Sequence, residues 1–76
     1  MKELLLTIVK SLVTKPEAIE ITETVSGTMT ILELRVAKED TGRVIGKQGY
    51  TVRSIRTILS AVAARNNRRV VVQVAE

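Results

Sequence analysis

Val44-Ile45-Gly46-Lys47-Gln48-Gly49-Tyr50-Thr51-Val52-Arg53-Ser54-Ile55 joins two helical patterns through four residues poorly suited to continue either of them. The aliphatic pair Val44-Ile45 closes a short segment, and Val52 and Ile55 open a new stripe at helical spacing. Between them Gly46 and Gly49 carry no Cβ, so the backbone can adopt φ/ψ values closed to other residues and approach another chain closely. N–H groups at the start of the following helix bear partial positive charge, and Lys47 adds a full one. A sugar-phosphate backbone is the chemical complement of such a turn.

Upstream of it, Glu39-Asp40 precede a short helix predicted over Thr41 to Ile45 and put negative charge where a helix N-terminus favours it. Downstream, a longer helix is expected from about Tyr50 to Arg65. Its apolar stripe is Val52, Ile55, Ile58, Leu59 and Val62, with Arg53, Arg56, Thr57 and Ser60 mostly off it. Ala61, Ala63 and Ala64 make the end of that helix small-sided and open to another helix, and Asn66-Asn67 supplies a stop. Arg68 to Ala75 reads as a strand with Val70, Val72 and Val74 inward. At the other end of the chain, Leu5, Ile8, Val9 and Leu12 follow i, i+3, i+4, i+7 spacing, widened by Leu4, Leu6 and Val13, and Lys15-Pro16 ends that helix. Ile19, Ile21 and Val25 alternate with polar residues, Ser26-Gly27 marks a turn, and Leu32, Leu34 and Val36 alternate again, which predicts a β-hairpin.

The order is α-β-β-α-α-β, with a G-x-x-G loop between the two adjacent helices. Val44 to Ile55 resembles the V-I-G-x-x-G-x-x-I-x-x-I of KH domains, with Val52 in place of one isoleucine. The element order is similar to that of the type II KH fold. The resemblance therefore implies an α+β fold with a three-stranded mixed sheet, helices packed on one of its faces, and a single domain over residues 1–76. It extends to the small bacterial single-KH proteins of the KhpA type.

On the KH template about four single-stranded nucleotides lie in a cleft between the loop helices and the sheet edge. Gly46, Lys47, Gln48 and Gly49 would meet the backbone. Val44, Ile45, Val52 and Ile55 would form an apolar floor with Leu32 or Leu34, although ordinary core packing competes for them, most strongly at Ile55, Leu32 and Leu34. Arg53 and Arg56, three residues apart on one helix side, could reach a phosphate or stack on a base, and Arg43 on the short helix is similar. Tyr50 stands where a basic residue is usual; a lone ring at a helix start more often packs as a staple than stacks a base. The resemblance further implies an RNA chaperone-like or post-transcriptional regulatory role in the bacterial cytoplasm, homodimerisation, and a larger KH-containing partner of the Jag type. The groove would admit single-stranded DNA as well as RNA.

Charge and composition agree with a polyanion partner. Residues 1–34 hold three lysines against five glutamates, net −2, whereas residues 35–76 hold nine bases against three acids, net +6. From Arg43 to Arg69 there is no acid. A solvated basic surface would give the same asymmetry, so its coincidence with the glycine loop carries the weight. Tyr50 is the sole aromatic, which removes a stacking platform and points to modest, salt-sensitive affinity.

The chain has neither cysteine nor histidine, so no thiol nucleophile, disulfide framework or imidazole base is present. No metal or cofactor is expected. Gly46-Lys47 is not a nucleotide-binding P-loop, since Gln48 stands where serine or threonine is needed, and adjacent Glu39-Asp40 cannot face each other across a site. Catalysis is not expected. Polar residues interrupt the apolar N-terminal stretch, which supports neither a signal peptide nor a membrane span. The competing reading is a protein-interaction or dimerisation module that keeps the KH shape with little RNA binding of its own, for which the alanine-rich helix end and any uncovered members of Ile58, Leu59 and Val62 offer a surface.

Overall fold

A computed structural model describes Met1 to Ala75. The first helix, α1 (Lys2–Lys10), buries Leu5 and Val9. It ends three residues before the apolar stripe does. The Ser11 N–H turns back to Ile8 O, and the N–H groups of Leu12 and Val13 both reach Val9 O. A turn thus carries the stripe onward, and Leu12 and Val13 still pack against the core. Periodicity reported the packing correctly while overstating the helix. Pro16–Ala18 forms a short 3₁₀ turn that the sequence pattern did not reveal; proline suits its first position, where a missing N–H costs nothing.

Strands β1 (Glu20–Ser26) and β2 (Met29–Arg35) pair antiparallel, from Glu20 opposite Arg35 to Ser26 opposite Met29. Gly27 takes φ +59° in the connection. The chain then passes through α2 (Thr41–Ile45) and α3 (Tyr50–Arg65) and returns as β3 (Arg69–Val74), parallel to β2 with Met29 opposite Arg69 and Leu34 opposite Val74. The sheet order is β1-β2-β3. Both helices of the crossover and α1 lie on one face of this mixed sheet, and the fold is the α+β type II KH arrangement the order predicts.

Leu32 and Leu34 point from the central strand into that helical layer, joined by Val72 of β3, Leu5 and Val9 of α1, Val44 of α2, and Ile55 and Leu59 of α3. Each such side chain contributes about 1.5–3 kcal/mol by leaving water. On the other face Glu33, Arg35 and Gln73 stay exposed, as alternation demands.

One charge lies inside. Asp40, fully buried, accepts hydrogen bonds at Oδ1 from the Thr14 N–H (3.0 Å) and hydroxyl (2.9 Å) and at Oδ2 from the Lys15 N–H (3.1 Å). Those donors, the Thr14 N–H first, hold its carboxyl below the usual aspartate range against the opposing cost of burial. Arg43 Nε stands 3.7 Å away. Beside it the exposed pair Lys15–Glu39 closes at 2.6 Å. The acids expected to complement the α2 dipole therefore bind the Thr14-Lys15 segment instead, and Asp40 makes no capping bond to its own helix. Their effect is to pin the start of α2, and with it the loop only one helical turn and a half further on.

Candidate nucleic-acid interface

The G-x-x-G segment is a compact turn. Gly46 N–H closes α2 onto Gly42 O at 2.8 Å, and Gly46 itself takes φ +77°, ψ 170°, a region open in practice to glycine alone. A Cβ there would sit 2.8 Å from the Thr51 backbone nitrogen and overlap the Thr51 side chain. Lys47–Gly49 then makes one tight turn, with the Gly49 N–H on Gly46 O at 3.1 Å and Gln48 forced to φ +57°. Gly49 takes φ +77°, and a Cβ there would meet only Arg53 Nη2 at an ordinary 3.9 Å, so conformation and not crowding selects it. No side chain caps the sixteen-residue α3 that follows, which leaves its first N–H groups without intrahelical partners beside the loop. Lys47 and Gln48 are exposed, and Lys47 has no ion-pair partner among the described residues.

Three arginines near this loop do three different things. Arg53 turns back, donating from Nη2 to Gln48 O at 3.0 Å, with its guanidinium 5.2 Å from the centre of the Tyr50 ring. It braces the left-handed residue of the turn, a role invisible in its spacing. Tyr50 is 59% exposed and is not the buried staple the sequence favoured; its face carries Arg53. Arg56, expected beside Arg53, diverges to the sheet and donates from Nε to Val72 O at 3.1 Å. Arg43 stays over Asp40 with most of its side chain in water.

The cleft differs from its expected form in which strand borders it. Arg56, Ser60 and Val70 to Gln73 line a recess of about 320 Å³ between α3 and β3. Because β2 is central, Leu32 and Leu34 are in the core and give the recess nothing. Val44 has 0% exposure, and Val52 and Ile55 are buried with it, so these three support the loop from beneath. Ile45, half-buried, is the one of the four floor residues with substantial surface. The missed strand was legible in principle: a hairpin uses one side of β2, and a helical crossover returns the chain parallel to the other. A second recess, about 520 Å³, lies at the opposite end of α2 and brings together Arg35, Lys38 and Thr41 with Val36 and Ala75.

Among the described residues no three acidic, histidine or cysteine side chains gather as metal ligands, and no helix is long and apolar enough to cross a membrane. The family model described as KhpA/KhpB, KH domain, matches residues 2–74. A protein of Chlamydia pneumoniae named RNA-binding protein KhpA is 53% identical over 77 aligned positions, covering 100% of this chain and 97% of that relative. Proteins of the same name are 50% identical in Clostridium acetobutylicum, over 97% of this chain and 99% of the relative, and 45% identical in Listeria monocytogenes, over the full length of both.

Proposed function

The chain belongs to the KhpA/KhpB KH-domain family, and from that premise we propose that it binds RNA, as its relatives' names say of them, and that it takes the RNA as a single strand. The observation that carries the reading is the loop: Lys47 free and exposed, Gln48 and both glycines at positive φ, and the uncapped start of α3 directly behind. Backbone N–H groups and the Lys47 ammonium hold phosphates there, and Gln48 adds side-chain hydrogen bonds. Bases enter the recess between α3 and the β3 edge, beside Arg56. Arg53 acts through the loop it braces, and Arg43 widens the positive field. Residues 1–76 work as one module without metal or cofactor. Binding is dominated by counterion release, falls with salt, and accepts single-stranded DNA too. The cellular role is chaperone-like or post-transcriptional, in the bacterial cytoplasm.

A second surface supports association. Ile58, 47% exposed, stands on α3 among Ser54, Ala61 and Arg65, clear of the groove residues Arg56 and Ser60. An apolar residue flanked by the small Ser54 and Ala61 on an open helix face suits a second copy of this chain or a larger KH partner of the Jag type.

The test is a titration of a short labelled single-stranded RNA with wild type and a Lys47→Asp, Gln48→Asp variant, at low and near-physiological salt, both shown to be folded. Loss of binding in the variant, with a salt slope in the wild type, is the expected result. Equal binding by both would transfer the function to the association surface.

A further inference from the structure

We infer that Arg56 selects the base that enters the recess, favouring one with two adjacent hydrogen-bond acceptors on a single edge. The inference rests on the RNA-binding reading and adds a preference to it. Arg56 is anchored at one end: its Nε–H is used on Val72 O at 3.1 Å, which ties the guanidinium to the strand. Among the described residues, the four N–H bonds on its two Nη atoms meet no acceptor. No carboxylate is available nearby in sequence, since Arg43 to Arg69 is free of acids. A planar fork of donors thus borders a recess of about 320 Å³ whose other walls are Ser60, Val70, Val71, Val72 and Gln73.

The strand adds to the same polarity. The Arg69 N–H bonds Thr28 O and the Ala75 N–H bonds Leu34 O, so the odd-numbered residues of this segment direct their backbone groups toward β2. Alternation turns the backbone groups of Val70, Val72 and Val74 to the open edge, while their side chains pack toward the helices. Val72 O, pointing outward, is already taken by Arg56, which leaves the Val72 N–H as the free backbone group at that level. Donors therefore predominate on the wall a base edge would meet.

Guanidinium offers donors and no acceptor. Guanine presents O6 and N7 as neighbouring acceptors, the pairing arginine makes most often with bases. Cytosine presents O2 and N3 in the same relation. Adenine sets its N6 amino donor beside each acceptor on that side, and uracil places N3–H between its two carbonyls. Either of the latter would confront donor with donor or leave one unpaired.

The preference is measured with four eight-nucleotide RNAs, all uridine except for one central cytosine, guanine, adenine or uridine, by fluorescence anisotropy at low salt. Wild type is expected to bind the cytosine or guanine probe on the order of tenfold more tightly than the adenine and uridine probes. Which of the two leads identifies the acceptor edge used. Arg56→Lys keeps the charge and loses the fork, so its four affinities should converge near the wild-type value for uridine. Arg56→Gln should converge as well, at a uniformly weaker level. Folding of both is checked by thermal melting. Four equal affinities in a wild type that binds, or a preference that survives in either variant, would overturn the role of Arg56 alone. No salt-sensitive binding of any probe by wild type would overturn the RNA reading, and this inference with it.

Discussion

The two ends of α2 carry opposite kinds of charge in opposite kinds of setting. At its start Asp40 is buried, and both carboxylate oxygens are occupied by Thr14 and Lys15. Past its end Lys47 stands in water with no ion-pair partner among the described residues, on a turn whose shape is set by backbone conformation. A buried charge that is fully hydrogen-bonded is a fastening, since removing either side strands the other. An exposed charge on a rigid turn stabilises nothing around it and is free for a ligand. Between the two lie five residues of helix, so the fastening determines where the turn sits.

The contrast breaks most visibly at the hinge of the turn. Gly46→Ala puts a side chain into a region of φ/ψ reserved for glycine and against Thr51. It should cost about 3 kcal/mol, adding backbone strain to overpacking. That corresponds to a fall in melting temperature on the order of 15 °C for a chain of this size. A melting temperature close to wild type would mean that the turn is soft and the two ends of α2 differ less than their geometry says.

Asp40→Asn comes next. The amide keeps the shape but offers an NH₂ where both oxygens accept, so a melting temperature lower by roughly 10 °C is expected. The acid dependence sharpens the point. The folded carboxyl keeps its charge below the pH at which an unfolded aspartate, near 3.9, takes up a proton. Its stabilisation is therefore complete above about pH 5 and drains away as pH falls through the depressed folded value. In Asp40→Asn that part of the acid limb should flatten. Glu39, also held low by Lys15, is exposed, so measuring at about 0.15 M salt screens its share and isolates Asp40. An acid limb unchanged by the substitution would sink the fastening role.

Much of this was legible in the sequence because the signals were local. The hairpin followed from alternation around Ser26-Gly27, and the loop from two glycines between aliphatic pairs. Helix α3 ran from Tyr50 to Arg65 as its stripe predicted. What escaped was everything that needed a distant partner. Asp40 reaches residues 25 and 26 positions away, and no spacing rule records such a contact. Arg53 and Arg56 look equivalent at i, i+3, yet one finds a carbonyl five residues back and the other a strand sixteen residues on. Val44 looked like cleft floor because it adjoins the loop in sequence; a one-turn helix laid on the sheet buries it completely. Leu32 and Leu34 lost their place beside the cleft to β3 for the same reason, since sheet order is a property of the whole chain.

The smallest effect on the fold is expected at Lys47, and it is the one that separates the two ends of α2 most cleanly. Lys47→Ala removes a side chain that pairs with no acid among the described residues and leaves the glycines and the Gln48 conformation in place. Its melting temperature should stay within about 3 °C of wild type, as for other exposed substitutions. Binding is where the loss should appear: a several-fold weaker affinity for single-stranded RNA at low salt. The plot of log affinity against log salt should flatten by about 0.7, the release from one phosphate contact on a single strand. The two proteins would then converge as salt rises. A parallel plot, displaced but equally steep, would mean that Lys47 shapes the turn and meets no phosphate, leaving the backbone N–H groups of the loop and the start of α3 to hold the strand.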